Sequence, residues 1–163
     1  MGRFSVAKTI DAPADAVWTV LGDPTRAPEW MKTVATVEKT SEGETAKAAS
    51  FRAASNKRDR HGRTVMVAEL EAGRRIALAS KSGGLSAVYD YSCESGEEDK
   101  TQVTLVATCE GKGFFWAIIQ PMPIFMIKST DRGQFKRLKK LVEAPPPETS
   151  EDVADASEQK GAV

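Results

Sequence analysis

The sequence predicts an α+β domain in which one curved antiparallel sheet of six to seven strands wraps around a long C-terminal helix. Two short helices are expected after the first strand. Three observations predict this fold: a series of strand-like segments joined by short turns, an early helical interruption, and one long amphipathic helical pattern near the end. Because a sheet with one apolar face needs a cover and one long helix is available, the sheet should curl around it.

The N-terminal elements are indicated by alternation and by proline placement. Residues 3–10 alternate between apolar and polar side chains, which is typical of a half-buried strand. Pro13 stands where a helix can begin, so a short helix is expected over 14–21. A second short helical segment is expected over 23–31, broken at Pro28.

The rest of the domain is expected to be a meander followed by a helix. Regular spacing and short turn signals rich in glycine, serine and acidic residues indicate antiparallel neighbours. The expected strands are 34–40, 46–54, 64–70, 75–80, 85–93 and 101–109. The helical face consists of Ile124, Ile127, Asp131, Phe135, Leu138 and Val142. Pro145 sets the latest end of this helix.

The charge balance divides the chain at residue 143. Residues 144–163 contain five acidic residues, one basic residue and three prolines without apolar periodicity, so a disordered acidic tail is expected. Residues 1–143 then carry 22 basic and 18 acidic residues and form the predicted domain. The whole chain has 23 basic and 23 acidic residues, and this zero net charge argues against a nucleic-acid binder. The N-terminus lacks the apolar run of a signal peptide, which predicts a cytoplasmic protein.

The two cysteines are expected to be small buried side chains. If Glu94 pairs near Thr101, Cys93 faces about Gln102 and Cys109 lies about seven residues along the ladder. At about 3.3 Å per residue the two cysteines are then about 20 Å apart, too far for a disulfide.

The sequence gives little support for a metal site, a catalytic triad or a dinucleotide-binding site. His61 is the single histidine and lies in a basic turn over 57–63. A solvated hairpin tip is the favoured interpretation of this turn, and contact with an anionic ligand headgroup or with nucleic acid are the alternatives. No paired ligand spacing indicates zinc, and the glycine pair at 83–84 lacks the strand and helix context of a nucleotide site. No cofactor is therefore expected.

Four ordered motifs resemble one known superfamily. Residues 6–18 contain an apolar strand followed by Ala-Pro-x-x-x-Val-Trp, and 21–30 look like a second short helix with an aromatic end. Residues 101–105 contain Thr-x-Val-Thr, and 135–143 look like a closing helix. In this order they are similar to the SRPBCC or START-like helix-grip superfamily, and most similar to its polyketide cyclase/dehydrase and lipid-transport family.

The resemblance implies an internal hydrophobic cavity between sheet and helix. The apolar stretch 114–127 would line that cavity and its entrance, although ordinary core packing and an interfacial membrane contact are alternatives. About 14 residues with Pro121 and Pro123 in the middle are too few to span a bilayer. The expected ligand-binding residues are Trp30, Phe51, Tyr89, Tyr91, Leu105, Phe115, Trp116, Met122, Phe125 and Met126.

Two tyrosines are the candidates for polar chemistry in that cavity. Tyr89 and Tyr91 are two residues apart on one strand and therefore share a face, which either points inward or packs with the hydroxyls at the surface. Trp30 either lies near the pocket mouth or caps the second short helix. Arg52 is a further candidate, as an oxyanion partner, although nothing in the sequence places it inward.

Three functions remain open at this stage. The first is a binding protein for a lipid, polyketide or isoprenoid, because no catalytic constellation is recognisable. The second is a polyketide cyclase or dehydratase that uses Tyr89 and Tyr91 as acid/base groups. The third is a membrane-surface or protein-interaction module that uses the basic stretch 136–140 of the closing helix and the segment 114–127. The sequence favours the first.

Overall fold

A computed structural model describes residues 2–56, 58–59, 61–82, 84–111 and 133–144. The strands are β1 (Gly2–Ile10), β2 (Thr36–Lys39), β3 (Ser50–Ala54), β4 (Arg63–Glu71), β5 (Arg75–Ser82), β6 (Leu85–Ser95) and β7 (Thr101–Gly111). The helices are α1 (Ala14–Leu21), a 3₁₀ turn (Pro24–Arg26), α2 (Ala27–Trp30) and α3, which is helical over 133–143. The expected tail, 144–163, falls almost entirely outside the described residues.

The sheet is a single antiparallel layer, as predicted. Its seven strands run in the order β1-β7-β6-β5-β4-β3-β2, so the first strand of the chain lies beside the last. Every other neighbour is a consecutive strand, which is the expected meander. A register shift between Val67 and Glu69 interrupts the β4–β5 ladder, and a bulge of this kind bends a strand. The helix-grip prediction is confirmed.

The turn after α1 depends on a close approach that requires glycine. The backbone N–H of Gly22 donates to the Trp18 carbonyl at 2.7 Å and ends the helix. A Cβ on Gly22 would lie 2.5 Å from the Trp18 ring, so any other residue would displace the indole. Asp23 then caps the 3₁₀ turn by accepting from the Thr25 N–H at 2.9 Å.

The second helical segment and the third strand differ most from their predictions. Pro28 does not break the second helical segment, because it occupies the first turn of α2, where no intrahelical N–H is needed. The third strand begins at Ser50 rather than at residue 46. The reason is that Ala48 adopts φ 70°, a left-handed conformation that a strand does not continue through.

The α3 helix closes the core with the face that its periodicity predicted. Phe135 and Leu138 are buried, whereas Val142 is half-buried. The far end of α3 is tied to the β1–α1 loop. Lys139 Nζ donates to Asp11 Oδ2 at 2.8 Å, and the Asp11 N–H donates to Glu143 Oε1 at 2.8 Å. The other three members of the predicted face lie outside the described residues.

The pairing of β6 with β7 at Cys93 differs by one residue from the expected register. Cys93 pairs with Val103 and Glu94 with Gln102, because the 96–100 turn closes with the Gly96 N–H donating to the Lys100 carbonyl. Cys109 lies six positions further along β7, which corresponds to about 20 Å. At that distance Cys93 and Cys109 form no disulfide with each other.

Candidate functional site

A cavity of about 260 Å³ lies between the sheet and its helical cover. Strands β2 to β6 form one wall, the 3₁₀ turn and α2 with the loop that follows them form a second, and α3 contributes one residue. The lining residues are Pro24, Ala27, Met31, Thr33, Val34, Val37, Phe51, Ala53, Arg63, Val65, Leu78, Ser80, Tyr89, Tyr91 and Gln134. Most of them are apolar, and the polar groups are few.

Strand alternation decides which residues of the sheet face this cavity. On β4, Arg63 and Val65 line it, and Val67 on the same face is 1% exposed beyond it. Arg63 is paired with Ala53, which is paired with Val37, so these three form one row across the wall. The solvent exposure of the inner-face side chains of β4 falls from Arg63 to Val67, so Arg63 lies at the open end of the cavity.

Of the two orientations that the sequence left open for Tyr89 and Tyr91, the structure shows the inward one. Tyr89 and Tyr91 both line the cavity, from the middle of β6. Tyr91 makes edge-to-face contacts with Trp30 on α2, with ring centroids 5.8 Å apart, and with Phe135 on α3, at 6.5 Å. Such pairs prefer this geometry and add to the burial energy. Tyr91 therefore connects the sheet, α2 and α3.

Trp30 lies behind the cavity wall. It is 3% exposed and touches Tyr91, but it is not among the lining residues. Its Nε1 is buried and has no hydrogen-bond partner among the described residues. A buried donor without a partner costs about 1–3 kcal/mol. Trp30 ends α2, as the capping alternative expected, but the prediction that it lies near the pocket mouth and contacts the ligand is wrong, because it packs behind Tyr91.

Arg52 is the predicted site residue that the fold turns away from the cavity. Phe51 and Ala53 on β3 line the cavity, so the alternating Arg52 lies on the outer face. There its guanidinium forms an ion pair with Glu38. The sequence reasoning overlooked Arg63 instead. The sequence contained the information needed to find it, because Arg63 is two residues from Val65 and four from Val67 and therefore shares their face of β4.

The other predicted ligand contacts are divided between the core and the undescribed part of the chain. Leu105 is completely buried in the main core and is not a lining residue. The following predicted residues lie outside the described ranges: Phe115, Trp116, Met122, Phe125 and Met126. Whether the segment 114–127 is a lid or a membrane contact therefore stays a prediction.

The described residues include neither a metal site nor a membrane-spanning helix. No cluster of histidine, cysteine and acidic side chains there has the geometry to hold a metal ion. No described helix combines the length and apolarity that crossing a membrane requires. Next to the cavity face, burial raises the pKa of Cys93 to about 11, so its thiol is protonated at neutral pH.

Comparison with known families decides the assignment. The family model described as polyketide cyclase/dehydrase and lipid transport matches residues 1–143. The chain belongs to this family. The SRPBCC or START-like resemblance of the four ordered motifs is thereby confirmed. A comparison with curated protein sequences finds no match.

Solved structures share the fold of this polyketide cyclase/dehydrase and lipid transport family member at low identity. The Zhui aromatase/cyclase from Streptomyces sp. R1128 is 16% identical with a TM-score of 0.70, covering 87% of this chain and 93% of its own. A START superfamily protein from Mycobacterium smegmatis is 15% identical with a TM-score of 0.68, covering 86% and 97%. A norcoclaurine synthase variant from Thalictrum is 14% identical with a TM-score of 0.63, covering 86% and 93%.

Proposed function

We propose that this protein binds an apolar small molecule in the cavity between its sheet and its helices. The observation that supports this most directly is the lining of the cavity, which is mainly aliphatic and aromatic with a few polar groups at defined positions. Small-molecule sites in proteins typically combine an apolar lining with a small number of orienting polar groups. The family name includes lipid transport, which is consistent with such a role.

The size of the cavity limits the ligand. An engineered apolar cavity of about 150 Å³ accommodates benzene, which corresponds to about 25 Å³ for each carbon atom. On that scale the 260 Å³ cavity holds about ten carbon atoms. We expect a bicyclic ring system, a short isoprenoid or a medium-length alkyl chain, rather than an entire membrane lipid.

The polar lining groups would orient such a molecule. The Tyr89 and Tyr91 side chains line the inner wall, and Ser80 lies on the neighbouring strand β5. A phenol or hydroxyl can donate to a carbonyl or hydroxyl oxygen of the ligand. Because each hydrogen bond to the ligand adds to the binding free energy, these residues would favour ligands that carry an oxygen at the matching position.

Native mass spectrometry of freshly purified protein tests the proposal directly. We expect a bound organic molecule that can be extracted and identified, or, in its absence, saturable binding of decan-1-ol in a calorimetric titration. The matched control is Ala79→Leu, since Ala79 lies on β5 between the exposed outer-face residues Met66 and Val88. This variant should bind as the wild type does. Absence of both a co-purified molecule and decan-1-ol binding contradicts the proposal.

A cyclase or dehydratase activity is the second candidate, and the two cavity tyrosines favour it. A tyrosine phenol is protonated at neutral pH and can act as a general acid toward a ketone oxygen. The aromatase/cyclase and the norcoclaurine synthase with this fold show that it accommodates enzymes, although their low identity supports the fold alone.

Tyrosine variants separate the two candidates. In a carrier, Tyr89→Phe and Tyr91→Phe keep most of the ring packing and should change affinity by less than about tenfold. In a cyclase, the variant lacking the acid should retain substrate binding and lose about 100-fold or more in turnover of a poly-β-ketone substrate. Unchanged turnover in both variants would exclude the tyrosines as catalytic groups.

A further inference from the structure

Arg63 is the one charged side chain among the described residues that line the cavity. It is the first residue of β4, and its side chain shares the inner face with Val65. The remaining polar lining groups are hydroxyls and one amide. The described wall of the cavity therefore carries one positive charge and no negative charge.

Two carboxylates in the same part of the sheet have partners other than Arg63. Glu38 lies on the outer face and pairs with Arg52. Asp59, in the β3–β4 turn, accepts from the backbone N–H of Gly62 at 2.9 Å, which helps to hold the pKa of Asp59 below its usual value. None of the ion pairs formed between described residues includes Arg63.

The location of Arg63 suits the end of an amphiphilic molecule. Arg63 is exposed at the open end of the cavity, whereas Val65 is half-buried and Val67 is buried along the same strand. A guanidinium at this position keeps contact with water and still directs its planar fork toward an occupant of the cavity. A carboxylate matches that fork with two parallel hydrogen bonds.

We infer that the ligand is a monocarboxylate, with an apolar body of about ten carbon atoms in the cavity and its carboxylate on Arg63. The inference rests on the proposed ligand-binding function and adds the chemical class of the ligand. One cation balances one negative charge, whereas a phosphate monoester would leave a second charge without compensation beside an apolar lining.

Calorimetric titration with decanoate and decan-1-ol at neutral pH tests the inference. Simple transfer from water favours the uncharged alcohol, because a carboxylate is costlier to desolvate. Preferential binding of decanoate therefore requires a specific partner. We expect the wild-type protein to bind decanoate about tenfold more tightly than decan-1-ol.

Three variants test whether Arg63 is the residue that binds the carboxylate. Arg63→Gln should abolish the preference for decanoate and leave decan-1-ol binding within about twofold. Arg63→Lys keeps the charge without the fork and should retain part of the preference. Arg52→Gln is the matched control, since Arg52 is an arginine on the neighbouring strand whose side chain lies on the opposite face. It should behave as the wild type does. Exposed positions of this kind rarely affect folding, and thermal melts of each variant check this.

The outcomes separate the two proposals. Equal binding of decanoate and decan-1-ol by the wild type, or an unchanged preference in Arg63→Gln, overturns the carboxylate assignment and leaves the proposed function intact. Loss of the preference in Arg52→Gln also overturns it, since general surface charge would then be the cause. Failure of both probes to bind contradicts the proposed function itself.

Discussion

Filling the cavity from the sheet side should weaken ligand binding by an amount that its volume sets. Ala53 is 7% exposed, lies on the inner face of β3 and lines the cavity. Ala53→Leu adds three carbon atoms, which occupy about 75 Å³ on the scale of about 25 Å³ for each carbon. The space left from 260 Å³ is then sufficient for about seven carbon atoms instead of about ten.

The loss in affinity follows from the apolar surface that the ligand can no longer bury. Three methylene groups excluded at about 0.8 kcal/mol each amount to about 2.4 kcal/mol. At 1.4 kcal/mol for each factor of ten, decan-1-ol should bind about 50-fold more weakly to the Ala53→Leu variant. Heptan-1-ol, which still fits, should lose less than about threefold. The folded state should be about as stable as the wild type, because the leucine fills existing space.

Calorimetric titrations with the two alcohols and a thermal melt measure these effects. The Ala79→Leu variant adds the same atoms on the outer face of β5, between Met66 and Val88, and should change neither affinity. Equal weakening of decan-1-ol and heptan-1-ol by Ala53→Leu would refute the reasoning, since the volume argument requires the longer alcohol to suffer more. A fall of several degrees in the melting temperature would show that the leucine does not enter the cavity.

Three other predictions concern stability and reactivity. The ion pair between Asp11 and Lys139 lowers the pKa of Asp11 below 3.8. Asp11→Asn removes this ion pair, so the urea midpoint of unfolding should fall slightly at pH 7. That difference should disappear as the pH drops below 3.8 and through the lower pKa of the folded state, because the stabilisation of a carboxylate with a lowered pKa is lost there. Iodoacetamide at pH 8 should modify Cys93 roughly 100-fold more slowly in the folded protein than in urea, since burial raises its pKa from 9.0 to about 11; equal rates in peptide mapping would contradict this. Gly62→Ala should destabilise more than Gly43→Ala, for which we expect about 1 kcal/mol by urea unfolding. Both glycines have positive φ, but a Cβ at Gly62 would lie 3.0 Å from a backbone oxygen of β3, whereas Gly43 faces open space; equal losses would refute the steric argument.

Local patterns were sufficient to predict most of the element order. Helix α1 has the predicted bounds because Pro13 and Gly22 are local start and stop signals. The strand from Ser50 was predicted too long because the left-handed turn at Ala48 has no glycine or asparagine to indicate it. The Cys93 register was one residue off because the closure of the 96–100 turn sets it. Such details depend on backbone conformation, which composition does not specify.

The candidate site was predicted less completely than the fold. The alternation of side chains along β6 was enough to place Tyr89 and Tyr91 on one face, and the fold directs that face inward. Arg52 was predicted as a site residue, but it lies between the inward-facing residues of β3 and therefore faces outward. Periodicity shows which residues share a face, but it does not show which face is covered. That choice depends on where the helices pack.

The sequence by itself determined the family, the antiparallel meander and the amphipathic face of α3, because each is written in local spacing or in ordered motifs. The tertiary structure decided that the cavity lies between β2–β6 and the segment around α2, and that Arg63 is the charged group on its described wall. It also decided that Tyr91 contacts both Trp30 and Phe135. These facts depend on residues far apart in the chain meeting across the sheet, and only the packing of the whole domain sets which of them meet.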